Sequence, residues 1–382
     1  MLFDNVHSAN EESDDAIHAV KVKPPIANRR RRFLKSLGLA GAALSAGALF
    51  SSRGPAKAAT KISSGDVDIL RLLAAAELIE ADLWQQYAEL GGLTPGQEPV
   101  ETNPNFTPMN SYQAAFMNLD SDGPQYISSN TLDEQSHATF LNAFLVSVGA
   151  EPVNLDQFRT LPSSEATGAK RIGRLTNLTK LSVDTSWYVR YRSTTNPDFG
   201  ATFPQALPAL FEGKFTAIPR NNGDFAPKNH VLAIANTAAF HFGFIEQAGT
   251  SLYASLSQKV TSREVLRITL GIGGDEICHF LEWVDFSGNG VQPPLAPFTD
   301  PTNGLTFPNF DAKVDPLLQT NLIFPVPAEF ISPQLPHCAA IRPLQFTATD
   351  AIKGFIQDGL FTGQSSAFLN FVLDLAVRAD AV

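Results

Sequence analysis

Two short segments of this chain carry metal-binding residue types at a spacing that lets them act together: Asp133-Glu134-Gln135-Ser136-His137 and Asp275-Glu276-Ile277-Cys278-His279. Each contains Glu-x-x-His. On an α-helix, side chains three positions apart lie about 60° apart around the axis and about 4.5 Å along it, so carboxylate and imidazole reach into the same volume and one cation accepts both. One such pair arises easily by chance. Two pairs, each preceded by Asp and together using His137 and His279 out of the five histidines beyond residue 58, point to a built site.

A site for two cations assembled this way needs one further carboxylate from each of two other helices. The segment Ile79-Glu80-Ala81-Asp82-Leu83-Trp84-Gln85-Gln86-Tyr87-Ala88-Glu89-Leu90 aligns with Ile245-Glu246-Gln247-Ala248-Gly249-Thr250-Ser251-Leu252-Tyr253-Ala254-Ser255-Leu256, setting Glu80 against Glu246 and Tyr87 against Tyr253. Glu77, one turn before Glu80 on nearly the same face, is the alternative ligand. Glu246 follows the apolar run Phe240-His241-Phe242-Gly243-Phe244-Ile245, where an unpaired carboxylate would be costly. Tyr87 and Tyr253 lie two turns past their glutamates, which suits either a hydrogen bond to a ligand carboxylate or plain core packing. Asp133 and Asp275 are placed to orient a ligand histidine across the helices. His230 and His241 fall outside the repeat and read as structural. Four carboxylates neutralise two divalent ions, and oxygen with imidazole donors suits iron or manganese. Without metal the like charges repel, so metal binding and folding are expected to be coupled.

These residues require long helices to hold them. Helical periodicity marks residues 66–90, with Ser63 or Ser64 as cap and Gly91-Gly92 as stop, then 124–148 and 229–256. A further helix runs over 261–286, where Thr261 and Glu264 have capping-box spacing. Gly271, Gly273 and Gly274 weaken that helix just before its ligand pair, marking a distortion or a close helix contact. Four principal helices emerge, with an insertion at about 151–228 that includes a helical stretch around 169–183. From 288 to 382 a proline-rich extension follows; its prolines exclude long helices until an amphipathic segment at 349–377, interrupted at Gly363. The expected architecture is all-α, a four-helix bundle over 59–287 with the extension packed on it.

The first 58 residues read as an address. Arg30-Arg31-Arg32-Phe33-Leu34-Lys35 resembles the twin-arginine export signal, an apolar run rich in Gly, Ala and Ser follows, and Ala56-Lys57-Ala58 offers a cleavage site after Ala58. The apolar run is about 14 residues, short of the roughly 20 needed to cross a bilayer. The expected location is therefore periplasmic or extracellular, with the export machinery as a partner. A formal net charge of -10 argues against nucleic acid as a partner. Two cysteines, Cys278 and Cys338, are too few for a disulfide scaffold and permit one bridge at most.

A single Glu followed by Glu-x-x-His, read twice, resembles the ferritin-like superfamily of carboxylate-bridged di-iron and di-manganese proteins over roughly 66–150 and 229–286. With two histidines the pattern is closer to the bacterioferritin, rubrerythrin and manganese-catalase type than to classical ferritin. The resemblance implies that Glu134 and Glu276 bridge two metals, that Glu80 and Glu246 are terminal ligands, and that His137 and His279 each bind one ion. The insertion and the proline-rich tail resemble exported ferritin-like proteins grouped with desiccation- or stress-related proteins. The expected function is redox chemistry on dioxygen or hydrogen peroxide at a centre of two iron ions. Alternatives on the same ligand set are a manganese catalase, a non-catalytic metal-binding or structural stress protein and, less in keeping with the long insertion, an iron-storage subunit.

Overall fold

The structure is a computed structural model that describes residues 62–103, 105–192, 203–311, 325–326, 332, 334–336, 338–339 and 346–382. Residues 1–58, expected from sequence to be an export signal, and His337 lie outside the described residues. Within them the chain is mostly helical, with eight α-helices: α1 (Ser64–Gly91), α2 (Ser111–Leu119), α3 (Gly123–Ser147), α4 (Ser186–Arg192), α5 (Lys228–Ser257), α6 (Arg263–Asn289), α7 (Ala348–Asp358) and α8 (Ser366–Asp380). Two minimal antiparallel hairpins, β1 (Phe298–Thr299) with β2 (Thr306–Phe307) and β3 (Pro325–Val326) with β4 (Cys338–Ala339), lie between α6 and α7. No described helix is long and apolar enough to cross a membrane.

The long helices pack as two pairs, α1 with α3 and α5 with α6. Ser63 caps α1, its hydroxyl accepting the Asp66 amide at 3.0 Å. The Thr131 hydroxyl of α3 donates to the Trp84 carbonyl of α1 at 3.1 Å, and the Ser287 hydroxyl of α6 donates to the Ala239 carbonyl of α5 at 2.9 Å. On α6 a Cβ at Gly273 would stand 2.7 Å from that of Tyr253, so Gly273 marks a close contact with α5, whereas Gly271 and Gly274 face open space. The pairs share one core where Trp84 lies 4.7 Å from Phe242 and 5.3 Å from Trp283 between ring centroids, with both Trp rings fully buried. Aromatic burial of this kind is worth roughly 3 kcal/mol per ring and fixes the spacing between the pairs.

Three sequence expectations give way here. The helix expected at 169–183 does not form; the segment runs irregularly, with isolated bridges Leu161 to Arg174 and Leu181 to Phe215. Asp82 of α1 supplies the reason. Its buried carboxylate accepts the amides of Leu175 and Thr176, each at 3.0 Å, the Thr176 hydroxyl at 2.8 Å and the Arg159 guanidinium at 2.6 Å. Tertiary partners thus take the backbone donors that a helix would have used. The α6 cap is Ser262, not Thr261, because the Thr261 amide and hydroxyl are taken at 2.8 and 2.9 Å by the buried Asp66 carboxylate of α1, which moves the helix start along by one residue. Helix α2 stands between the first two helices that the periodicity marks, where no helix was expected.

The C-terminal segment is tied down in the same way. Asp380, ending α8, accepts the amides of Ala348 and Thr349 at the start of α7, at 2.8 and 2.9 Å. Asp358, ending α7, reaches His241 of α5 at 3.0 Å. Asp82→Ala would leave two buried amides and a guanidinium without their acceptor, and a loss of about 3 kcal/mol is expected in chemical denaturation. Asp156→Ala, which removes the exposed partner of the same Arg159, should cost under about 1 kcal/mol.

Candidate metal centre

The paired helices bring five glutamates and two histidines to one buried place. Glu77 and Glu80 come from α1, Glu134 and His137 from α3, Glu246 from α5, and Glu276 and His279 from α6. All seven are buried, His137 being the most accessible at 8 %. Two groups of side chains are positioned to hold a metal ion, Glu77, Glu134, His137 and Glu276 in one and Glu134, Glu246, Glu276 and His279 in the other, with ligand atoms within 4.8 Å of one another in each. Glu134 and Glu276 belong to both. The Glu134 carboxylate stands between the imidazoles, Oε2 at 3.2 Å from His137 Nδ1 and Oε1 at 3.0 Å from His279 Nδ1. Glu77 lies 3.3 Å from His137 Nδ1, and Glu246 lies 3.3 Å from His279 Nδ1.

An approximate two-fold relates the halves, in a register three residues away from the sequence alignment. The Trp84 indole N–H donates to Glu246 at 3.0 Å, while the Tyr253 hydroxyl donates to Glu77. Trp84 follows Glu77 by the same two turns by which Tyr253 follows Glu246, so each α1 or α5 glutamate is held by a donor from the opposite helix. Glu77, not Glu80, therefore stands opposite Glu246. Glu80 is buried beside the cluster but belongs to neither group. Tyr87 points elsewhere, its hydroxyl 2.8 Å from His241 Nδ1, and forms a buried chain through His241 to Asp358. Of the two tyrosines, for which the sequence left a carboxylate partner and core packing both open, Tyr87 meets His241 and Tyr253 donates to the Glu77 carboxylate. The matching letters at Glu80 and Tyr87 misled because both pairs keep the same two-turn separation, and an aromatic donor can be Trp as well as Tyr.

Opposite Glu80 in this register stands Gly249, which sequence reasoning passed over. A Cβ there would lie 2.2 Å from Glu276 Oε2, so α5 yields its side chain at that point to admit the Glu276 carboxylate. A glycine inside a long helix, three residues after a ligand, was the available signal. Asp275 reaches across to His137 Nε2 at 3.2 Å, and Asp133 reaches to His279 Nε2 at 3.5 Å, as their positions before each pair suggested. Glu282 was also missed. Its carboxyl is pushed up to about 7, first by burial and then by the charges of Glu246, Asp133 and Asp275.

The electrostatics are those of a site short of positive charge. Burial, then Glu134, pushes the Glu77 carboxyl up to about 8, and burial with the neighbouring glutamates drives Glu80 and Glu276 well above the ordinary value of 4.5. Burial would raise Glu134 too, but a hydrogen bond from His137 and the charge of the adjacent His279 hold it below the usual carboxylate range. Burial disfavours the His137 imidazolium, yet Asp275, Glu134 and Glu77 together push it up to about 12. Several buried atoms aimed at the shared space have no hydrogen-bond partner: Glu77 Oε2, Glu134 Oε1, Glu246 Oε2, both Glu276 oxygens and His279 Nδ1. Buried acceptors of this number are otherwise satisfied in folded proteins, and cations would satisfy all of them. The donor set therefore fits divalent ions that accept carboxylate and imidazole.

Compared with family models, with curated proteins and with solved structures, the chain matches none. Of the two cysteines, Cys278 is a free, exposed thiol beside the ligand pair on α6. His230 is accounted for by Asp300 and Asp224, 2.7 and 3.2 Å from its two ring nitrogens.

Two outcomes follow from the charge and from the packing. Between pH 4.5 and about 8 the folded metal-free protein keeps a proton on Glu77 that the unfolded chain has lost, so its stability falls as pH rises, by on the order of 1.4 kcal/mol per pH unit per such group. His137 acts in the same sense, its contribution being complete below about 6.5 and lost as pH climbs towards 12. Melting curves of metal-free protein should therefore shift to lower temperature from pH 5 to pH 8, and a divalent cation should remove the shift. Gly249→Ala should displace Glu276 and lower metal affinity at least tenfold in a calorimetric titration, with the helical content of the circular dichroism spectrum retained.

Proposed function

We propose that this chain is a ferritin-like protein, its four long helices forming a four-helix bundle around a dinuclear metal centre that reacts with dioxygen or hydrogen peroxide. The single observation that carries the reading is the sharing of Glu134 and Glu276 between two groups of side chains, several of whose buried carboxylate oxygens have no hydrogen-bond partner. On this reading Glu77 and His137 hold one ion, Glu246 and His279 hold the other, and Glu134 and Glu276 span both. The resident metal is iron, with manganese as the alternative. Bound ions would supply the electrons and the Lewis acidity for reduction or disproportionation of a small oxygen species.

The chain's own residues prepare the place. Tyr253 and Trp84 donate to Glu77 and Glu246, fixing the terminal carboxylates and leaving one oxygen of each directed at the shared space. Asp275 and Asp133 engage the outer nitrogens of His137 and His279 and leave both Nδ1 atoms facing inward. Burial of every ligand restricts access to small molecules, which supports an oxygen species over a larger substrate. The twin-arginine-like leader directs the folded protein out of the cytoplasm, where such chemistry would protect the envelope from oxidants.

Metal analysis of protein from its native compartment should give two ions per chain, and Glu134→Ala should bring this below one. The loaded protein should consume peroxide or oxidise ferrous ion; disproportionation without added reductant would assign the catalase form. Two ions bound with neither activity would leave a metal-binding stress protein, and absence of metal in both native and reconstituted protein would end the dinuclear reading. Changing Arg30 and Arg31 to Lys should retain the protein in the cytoplasm on cell fractionation.

A further inference from the structure

His279 presents its second nitrogen to a different place. While Nδ1 faces the buried glutamates, Nε2 points outward towards Asp133 Oδ2 at 3.5 Å and Asp275 Oδ2 at 3.8 Å. The ring is only 3 % exposed and neither nitrogen has a hydrogen-bond partner of good geometry. Asp133 and Asp275 are the half-exposed members, their side chains 46 % and 44 % accessible. Together the three form a third group with ligand atoms within 4.8 Å of one another, set between α3 and α6, with half-exposed carboxylates on one side of His279 and the buried glutamates on the other. An unpartnered buried nitrogen aimed at two wet carboxylates is a cation site in its own right, with two hard oxygens and one imidazole as donors.

We propose that Asp133, Asp275 and His279 Nε2 form an outer intake site, where a divalent cation is captured from solvent before it passes to the dinuclear centre; this rests on the dinuclear reading above. One imidazole explains why the site is transient. A neutral ring has a single nitrogen lone pair, so His279 binds a cation through Nε2 or through Nδ1 but not through both. While the inner position is free, the ring serves the outer ion, which displaces the Nε2 proton to solvent. When the ion moves inward, Nδ1 gives up its proton to solvent as it takes the ion, and Nε2 regains one from water, which it then shares with Asp133. The ring ends with one proton in either state, and the two aspartates become the orienting partners of a filled centre. The same residues thus first attract the ion and later lock its ligand.

Rates separate intake from simple orientation. Removing a partner that only orients a ligand histidine weakens metal binding 10- to 100-fold, roughly, and does so through faster release. Removing a capture site slows arrival, because half-exposed carboxylates steer cations through a field that salt screens. The mature, metal-free chain would be mixed with Mn²⁺ in a stopped-flow instrument, with the fluorescence of Trp84 and Trp283 reporting loading. Asp133→Asn with Asp275→Asn keeps the shape and removes both charges at half-exposed positions; circular dichroism checks the fold, and single D275N serves if the pair misfolds.

The expected result, at Mn²⁺ concentrations that saturate both proteins, is at least a tenfold slower loading rate and a weaker dependence of that rate on salt. An unchanged loading rate with faster release would overturn the intake site and leave the dinuclear centre standing. A wild-type chain that takes up no Mn²⁺, Fe²⁺ or Co²⁺ would sink both.

Discussion

Five carboxylates facing one another in a volume closed to water set the terms for this protein. Coulomb repulsion between Glu77, Glu80, Glu134, Glu246 and Glu276 is weakly screened there, and each charge also forfeits its hydration. The cluster itself offers His137 and His279 as positive groups, and both serve mainly Glu134. Burial and mutual repulsion push the carboxyls of Glu77, Glu80, Glu246 and Glu276 upward, which favours protons on them in the metal-free protein. Cations would replace those protons and remove the repulsion with little motion of the chain, because the surrounding aromatic core already fixes the helices.

The surroundings are organised to keep that arrangement symmetrical. Trp84 and Tyr253 cross between the two helix pairs, so each terminal glutamate is anchored by the opposite pair, and sliding either pair along its axis would break both anchors at once. Gly249 and Glu80 break the symmetry at equivalent positions. On α5 the missing side chain admits Glu276, and on α1 an additional carboxylate presses against the cluster. The α1 side of the cluster therefore carries one carboxyl more than the α5 side.

Outside the centre, buried polar contacts attach the irregular parts of the chain to the long helices. Asp82 gathers the loop at 175–176, Asp66 receives the start of α6, and Tyr87, His241 and Asp358 connect α1 and α5 to α7. Apolar packing would tolerate several placements of an irregular segment. A buried carboxylate tolerates only one in which its acceptors are filled, so these contacts choose the path of the insertion and of the C-terminal helices.

The sequence by itself determined the Glu-His pairs on α3 and α6, the long helices that carry them and the glutamate of α5, because helical periodicity and Glu-x-x-His spacing are local properties that a chain carries wherever it folds. It also pointed Asp133 and Asp275 across the helices. Only the tertiary structure decided which of Glu77 and Glu80 stands opposite Glu246, since both lie on one face of α1 and the outcome depends on how far that helix slides against α5. The same slide turned Tyr87 to His241, put Trp84 on Glu246 and required Gly249. Segment 169–183 had the composition of a helix and lost it to Asp82, a competitor more than eighty residues away. Register between helices and the capture of backbone donors by distant side chains are set by packing in three dimensions, and no local pattern of residues records them.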